Sequence, residues 1–211
     1  MSEIEFFWDP VCPFAWITSR WVVEVAGQRP LDVRWRPISL RILNEGGYDD
    51  EGLADKKEGH EIGLALLRVA AAVEADAGNE AVSRLYTALG SATFLKGDPQ
   101  ALAAGPRPLA EQALAACGLV AGLAAAVDDE SADAAIGAST ETAQERAGRD
   151  VGTPVLTFGP PDGPSFFGPV ISRVPRGPEA VKLWDAVEAL AGAPSFAELK
   201  RSLREPPQVA S

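Results

Sequence analysis

Apolar positions along the chain follow two different periods. Ile4 to Phe7 is a short β-type run, and Leu31 to Leu40 alternates so that Val33 and Trp35 share one face of a strand. Pro154 to Phe158 and Ser165 to Phe167 are two further short strands, joined by the turn sequence GPPDGP, and together they predict a hairpin. Between the first two strands, Pro13 to Ala26 reads as a helix, with proline in its first turn and Gly27 just past its end. In the middle of the chain the period changes to 3.6. Ile62, Leu66, Val69, Ala70 and Val73 form one helical series, and Val82, Leu85, Tyr86 and Leu89 form another, each bounded by glycine. GDPQALAAGPRP and DDESADAA supply turns between further helices, with LAEQALAACGLVAGLAAAV broken around Gly118. Leu183, Val187 and Leu190 predict a last amphipathic helix, followed by a polar, proline-rich tail, LREPPQVAS, expected to pack loosely. The order is therefore βαβ, a helical block, then ββα.

Composition divides the chain at the same places. All five tryptophans lie outside residues 51–150, whereas 27 of the 36 alanines lie inside. That stretch holds eight basic and sixteen acidic residues, so it carries -8 of the net charge of -11. The expected organisation is one α/β unit from 1–50 and 151–211, with an all-helical insertion from 51–150. The acidic balance argues against nucleic acid and anionic membranes as partners. No apolar run approaches 18 residues, and MSEIEFFWDP lacks the basic start of a secretory signal, so a cytoplasmic protein is expected. Two cysteines, Cys12 and Cys117, are too few for a disulfide framework, and each is expected as a thiol.

WDPVCPFAW places Cys12 after a strand and directly before the helical Pro13. Free N–H groups at a helix start and the positive end of its dipole favour thiolate. Such sites take a cysteine pKa from about 8.5 down to roughly 3.5 to 7.5, so a reactive thiol is expected. The competing reading is a small buried residue in an aromatic cluster.

These residues carry a resemblance. The Cys-Pro pair after the first strand, the element order, and Gly152-Thr153-Pro154 before the third strand resemble a thioredoxin fold with a helical insertion of the DsbA type. More narrowly, DPVCPFAWITSRW, SLRILNE, DVGTP, FFGPV, PRG, KLWDA and ELKR…EPPQ resemble the actinobacterial mycothiol-dependent reductases, the cytosolic DsbA-like proteins also called mycothiol-dependent nitroreductases. The resemblance implies that Cys12 is the nucleophile, with Pro13 and Phe14 inside the motif. It makes Asn44 a polar residue facing the site and Pro154 a cis-proline lying against the cysteine. The backbone of Thr153 is then left free to pair with an extended thiol substrate. It also implies no tightly bound cofactor, with mycothiol or another small thiol as co-substrate and a small disulfide or electrophile as partner. The protein would be a monomer or homodimer. Many relatives carry a cysteine three residues after the first, where this chain has Ala15. The implied cycle is therefore monothiol, with an external thiol resolving the mixed disulfide. A histidine of the relatives' helical region is replaced near Phe94.

Other residues read as structural. Cys117 sits among small apolar residues of a helix, and His60, in KKEGHEIG, is expected at the surface because HEIGL lacks the second histidine of a zinc motif. One histidine and two distant cysteines supply no zinc site, and no nucleotide-binding glycine motif occurs. Trp16 and Trp21 are expected in the core, Trp8 either there or flooring a cleft, and Phe14 beside the thiol. Asp9 has two possible effects, capping the loop or raising the thiol pKa by its charge. Two rival functions remain at this stage. One is an enzyme like the kappa-class glutathione transferases and 2-hydroxychromene-2-carboxylate isomerases, which usually carry serine where Cys12 stands. The other is a non-catalytic binding protein of thioredoxin fold.

Overall fold

The computed structural model describes residues 2–95, 100–202 and 205–209. Four strands form one mixed sheet in the order β2-β1-β3-β4. β1 (Ser2–Trp8) runs parallel to β2 (Leu31–Pro37) and antiparallel to β3 (Val155–Phe158), which forms a hairpin with β4 (Ser165–Phe167). Phe6 stands opposite Trp35 on one side and Leu156 on the other. Alternation sends Ile4, Phe6 and Trp8 to the main core, while Phe7 joins Ile38, Ala143 and Val155 in a smaller one on the opposite face. Burial on both faces is why Phe6, Phe7 and Trp8 follow one another without a polar break at the end of β1.

α1 (Pro13–Ala26) covers the first face. It buries Trp16, Ile17, Trp21, Val22 and Val25, and Trp21 Nε1 donates to the Ala180 carbonyl of α8 (Gly177–Ala191) at 2.9 Å. The buried side of α8 is Ala180, Trp184 and Ala191. Leu183 and Val187 pack at the margin and Leu190 is exposed, so the helix is turned relative to its expected apolar stripe because Trp184 docks between Trp21 and Phe158.

Between β2 and β3 the chain is helical. α2 (Leu40–Leu43) and α3 (Glu51–Ala54) are single turns. The two helical series predicted from periodicity join into one long helix, α4 (Lys57–Gly90), kinked at Gly78 where φ is +78°, a conformation that favours glycine. At the kink, Asn79 donates to the Trp35 carbonyl and accepts the Trp35 N–H, closing part of the free edge of β2. α4 runs on into a π-helical turn at Ser91–Leu95. α5 (Gln100–Ala103) and α6 (Pro106–Ala116) follow, and the break expected near Gly118 is present, with φ of +66° there and a 3-10 turn at Ala121–Asp128 beyond it. Residues 97–99 of the expected GDPQ turn lie outside the described residues. α7 (Asp133–Ala147) returns to the sheet and supplies Ala143 to its second face.

The tail also differs from the sequence reading. Val209 packs on the main core, and the Gln208 N–H donates to the Ser172 carbonyl, so this part of the tail is held. Residues 203–204 and 210–211 of the tail lie outside the described residues.

Trp16 of α1 packs directly on Gly90 of α4, where an added Cβ would fall 2.1 Å from the Trp16 ring. Both partners are fixed, because Trp16 is fully buried and Gly90 is helical backbone. Gly90→Ala is expected to destabilise the fold by about 1–3 kcal/mol, measured as a lower denaturant midpoint at unchanged slope.

Candidate active site

Cys12 is the N-cap of α1. Its backbone is extended (φ -86°, ψ 113°), and its sulfur accepts the Ala15 N–H at 3.4 Å, where a serine or aspartate side chain caps other helices. The Cys12 thiol donates to the Thr153 carbonyl at 3.5 Å, across 141 residues of sequence. The Thr153–Pro154 bond is cis. Thr153 is tied down in turn by its hydroxyl, which donates to the Phe7 carbonyl at 3.2 Å. The structure thus brings Cys12, Thr153 and Pro154 together, and with them Pro13 and Phe14, half-buried in the first turn of α1. The Thr153 carbonyl, part of the backbone that the resemblance offers to a substrate, accepts the Cys12 thiol with one of its two lone pairs.

Asn44 is placed differently from the expectation. It ends α2, and its amide donates to the Leu40 carbonyl at 2.7 Å. Its side chain serves the α2 turn, which reaches the Cys12 loop through the Leu40 N–H on Asp9 Oδ2 at 2.8 Å.

The electrostatics correct the expected low thiol pKa. Cys12 is 9% exposed, and burial pushes its thiol up to about 11, with the charge of Asp9 adding to the rise. The Ala15 and Phe14 N–H groups pull the other way without overcoming it. Helix-start placement is present as expected, yet desolvation outweighs it at this depth.

Asp9 does both things considered for it. It is fully buried, its Oδ1 accepts the Val11 N–H at 3.0 Å, and its charge opposes the thiolate. Below the site lies an aromatic layer, in which Trp8 stacks on Tyr86 at 4.0 Å and Trp16 lies between Tyr86 and Phe94. Trp8 is therefore core, and the cavity that it lines with Trp35, Leu67 and Val82 does not include Cys12. The Arg20 guanidinium lies 4.3 Å over the Trp16 ring and donates to the Thr87 hydroxyl at 2.8 Å. His60, expected at the surface, is buried at 8% exposure, and its Nδ1 pairs with the Tyr48 hydroxyl at 2.8 Å. A charged neighbourhood in sequence concealed it, because Lys56 to Glu61 turn their long side chains outward while His60 faces α2. Burial holds its pKa below the ordinary value. Cys117 is half-buried at the end of α6, its thiol donating to the Ala113 carbonyl at 3.0 Å.

The family model of the Rv2466c-like proteins, mycothiol-dependent nitroreductase Rv2466c, matches residues 11–201. The chain belongs to this family. Among relatives of the Rv2466c-like chain, the protein Rv2286c of Mycobacterium tuberculosis is 32% identical over 206 residues, covering 95% of this chain and 82% of the relative. Solved structures share the fold. SCO1869 of Streptomyces coelicolor, named as a DsbA oxidoreductase, superposes with a TM-score of 0.53 at 14% identity, over 96% of this chain and 95% of that one. The cytosolic disulfide reductase DsbM of Pseudomonas aeruginosa, solved with GSH, gives 0.50 at 20% identity, over 73% and 84%. The fold is thus the DsbA-like thioredoxin fold and the protein is a thiol oxidoreductase. Among the described residues, no helix is long and apolar enough to cross a membrane.

The residues that sequence reasoning missed, Tyr48, His60, Tyr86 and Arg20, surround this site from the loop after α2, from α4 and, for Arg20, from α1. Arg20 lies inside the family-like WITSRW segment and was the one visible signal. The rest depend on how α4 packs.

Proposed function

We propose that this protein is a cytoplasmic monothiol reductase. In this reading Cys12 forms a mixed disulfide with mycothiol or a similar small thiol, and the family match supports that choice of thiol. The observation that carries the proposal is the Cys12 sulfur at the start of α1, held between the Ala15 N–H and the Thr153 carbonyl, with Ala15 where a resolving cysteine would stand.

The chemistry balances with a single cysteine. The Cys12 thiol loses its proton and attacks the small-thiol sulfur of a mixed disulfide. A new bond forms at Sγ, the substrate S–S bond breaks, and the expelled thiolate takes up a proton. A second small thiol then attacks the adduct, its own proton returning to Cys12 as the symmetric small-thiol disulfide leaves. One mixed disulfide and one thiol are consumed, and one substrate thiol and one symmetric disulfide are produced. Thr153, Pro154, Pro13 and Phe14 form the wall against which the incoming disulfide aligns.

Incubating the protein with a small-thiol disulfide and mapping the adduct by peptide mass tests this. Modification at Cys12 is expected, with Cys117 unmodified, because Cys12 has the Ala15 N–H at a helix start to receive its charge, whereas Cys117 lies at a helix C-terminus with its thiol on the Ala113 carbonyl, where the helix dipole opposes a thiolate. Equal modification of both cysteines contradicts the assignment.

A further inference from the structure

Asp9 stands three residues before Cys12 in the loop between β1 and α1, and it is fully buried. Its carboxylate accepts two backbone N–H groups, from Val11 at 3.0 Å and Leu40 at 2.8 Å, and its backbone carbonyl accepts the Cys12 N–H at 3.2 Å. α4 closes over it so tightly that a Cβ at Gly63 would lie 2.9 Å from Oδ1. No lysine, arginine or histidine forms an ion pair with it among the described residues. A buried carboxylate without a cation is costly to ionise, and two amide donors offset that only in part. The groups around it that titrate or carry charge are Cys12 on its own loop, Arg41 on α2, Tyr48 after α2, and His60, Glu61 and Tyr86 on α4. Of these, Cys12, Tyr48 and Tyr86 feel its charge directly. Arg41 is engaged with the Tyr48 ring and Glu61, and His60 with the Tyr48 hydroxyl.

We propose that Asp9 is a positioning residue that sets the ionisation of Cys12, so that the loop holds one negative charge, either on the carboxyl or on the sulfur. This rests on the reading of Cys12 as the nucleophile. With Asp9 neutral, only desolvation opposes the thiolate, and with Asp9 charged, the repulsion between two anions is added to it. Burial pushes the Asp9 carboxyl up to about 7, which brings the exchange into the physiological range.

The pH profile of Cys12 reactivity follows. Below about 7 the thiolate forms beside a neutral Asp9, and the rate rises tenfold per pH unit. Above about 7 the loop has already lost one proton. The thiolate beside a neutral carboxyl and the thiol beside a carboxylate then contain the same number of protons, so their ratio no longer depends on pH. The rate then flattens for about one pH unit, until the thiolate beside a charged carboxylate becomes the larger population and the rise resumes. Asp9→Asn has one titration, so the break disappears. For a tenfold coupling of the two charges, its rate exceeds wild type by about fivefold at pH 8 and approaches tenfold above pH 9.

The test is the rate of iodoacetamide labelling at Cys12, read by peptide mass from pH 5 to 10, for wild type and Asp9→Asn. A break near 7 in wild type that is absent in Asp9→Asn is expected. A single unbroken rise in wild type, or the same break in both proteins, overturns the role of Asp9. Labelling of Cys12 too slow to measure at every pH in wild type instead removes the nucleophile reading on which the proposal rests. Because the asparagine amide would face the Leu40 N–H, the variant can fail to fold. In that case the carbon-13 titration of aspartate carboxyls in wild type decides. A carboxyl midpoint at the break supports the proposal, and none between pH 6 and 8 overturns it.

Discussion

Cys12→Ser brings thiol-dependent disulfide reduction down to the rate seen without protein. A serine hydroxyl in the same place keeps the N-cap hydrogen bond to Ala15, so the helix start and the fold survive, while the attacking sulfur and the mixed disulfide are lost. The wild-type rate rises with small-thiol concentration, because each turnover needs an outside thiol to release Cys12. Ala15→Cys changes that dependence. Ala15 sits three residues on and shares a face with Cys12 at the first turn, so its added sulfur can attack Sγ of the Cys12 adduct, close a ring with Cys12 and release the bound small thiol in one turnover with no outside thiol present. Ala15 is fully buried, and the larger side chain costs about 1–3 kcal/mol of stability. Single-turnover release from wild type, Cys12→Ser and Ala15→Cys, with and without small thiol, checks all of this. If wild type and Cys12→Ser behave alike, Cys12 is not the nucleophile and the binding-protein reading gains.

Glu5→Ala costs the fold about 3 kcal/mol. Glu5 lies on the second face of β1, 5% exposed, where Arg36 of β2 and Arg146 of α7 meet its two oxygens at 2.8 and 2.6 Å. Removing it leaves two guanidiniums unpaired between the sheet and α7. The cost sits at the lower end of the range for broken buried pairs, because the arginine side chains remain 25% and 22% exposed and regain some water. Burial raises the Glu5 pKa, but hydrogen bonds and charge from the two arginines bring it below the ordinary 4.5. A carboxylate with a lowered folded pKa stabilises above its unfolded pKa, and that stability is lost as pH falls through the folded value. The gap between wild type and Glu5→Gln in urea midpoint is therefore constant at neutral pH and narrows below about pH 4.5. Asp9 acts with the opposite sign. Its raised pKa makes the folded state bind the extra proton between 3.8 and about 7, so its contribution declines as pH rises through that window.

The element order was legible in the sequence because each signal is local. Pro13 and Gly27 bracket α1, β-type runs mark the four strands, and the hydrophobic period changes where alanine replaces tryptophan. The nucleophile was legible for the same reason, since Cys12 beside Pro13 is a helix-start signal within a few residues. A property set by more than one element was not. Gly78 looks like a boundary between two helices, and only the packing of Asn79 against the edge of β2 shows that the chain continues through it as one kinked helix. Asn44, placed at the site by resemblance, spends its amide on Leu40.

The sequence by itself determined which thiol is at the start of α1 and that no second thiol follows it. It could not determine that thiol's pKa. Local placement favours the thiolate, but desolvation depends on how deeply the loop is buried, and that depends on α4 closing at Gly63, 51 residues away. The same closure buries Asp9 without a cation and turns His60 inward. Tertiary structure decided these points because the cost of a charge scales with the water removed from it, which is a property of the whole packed site.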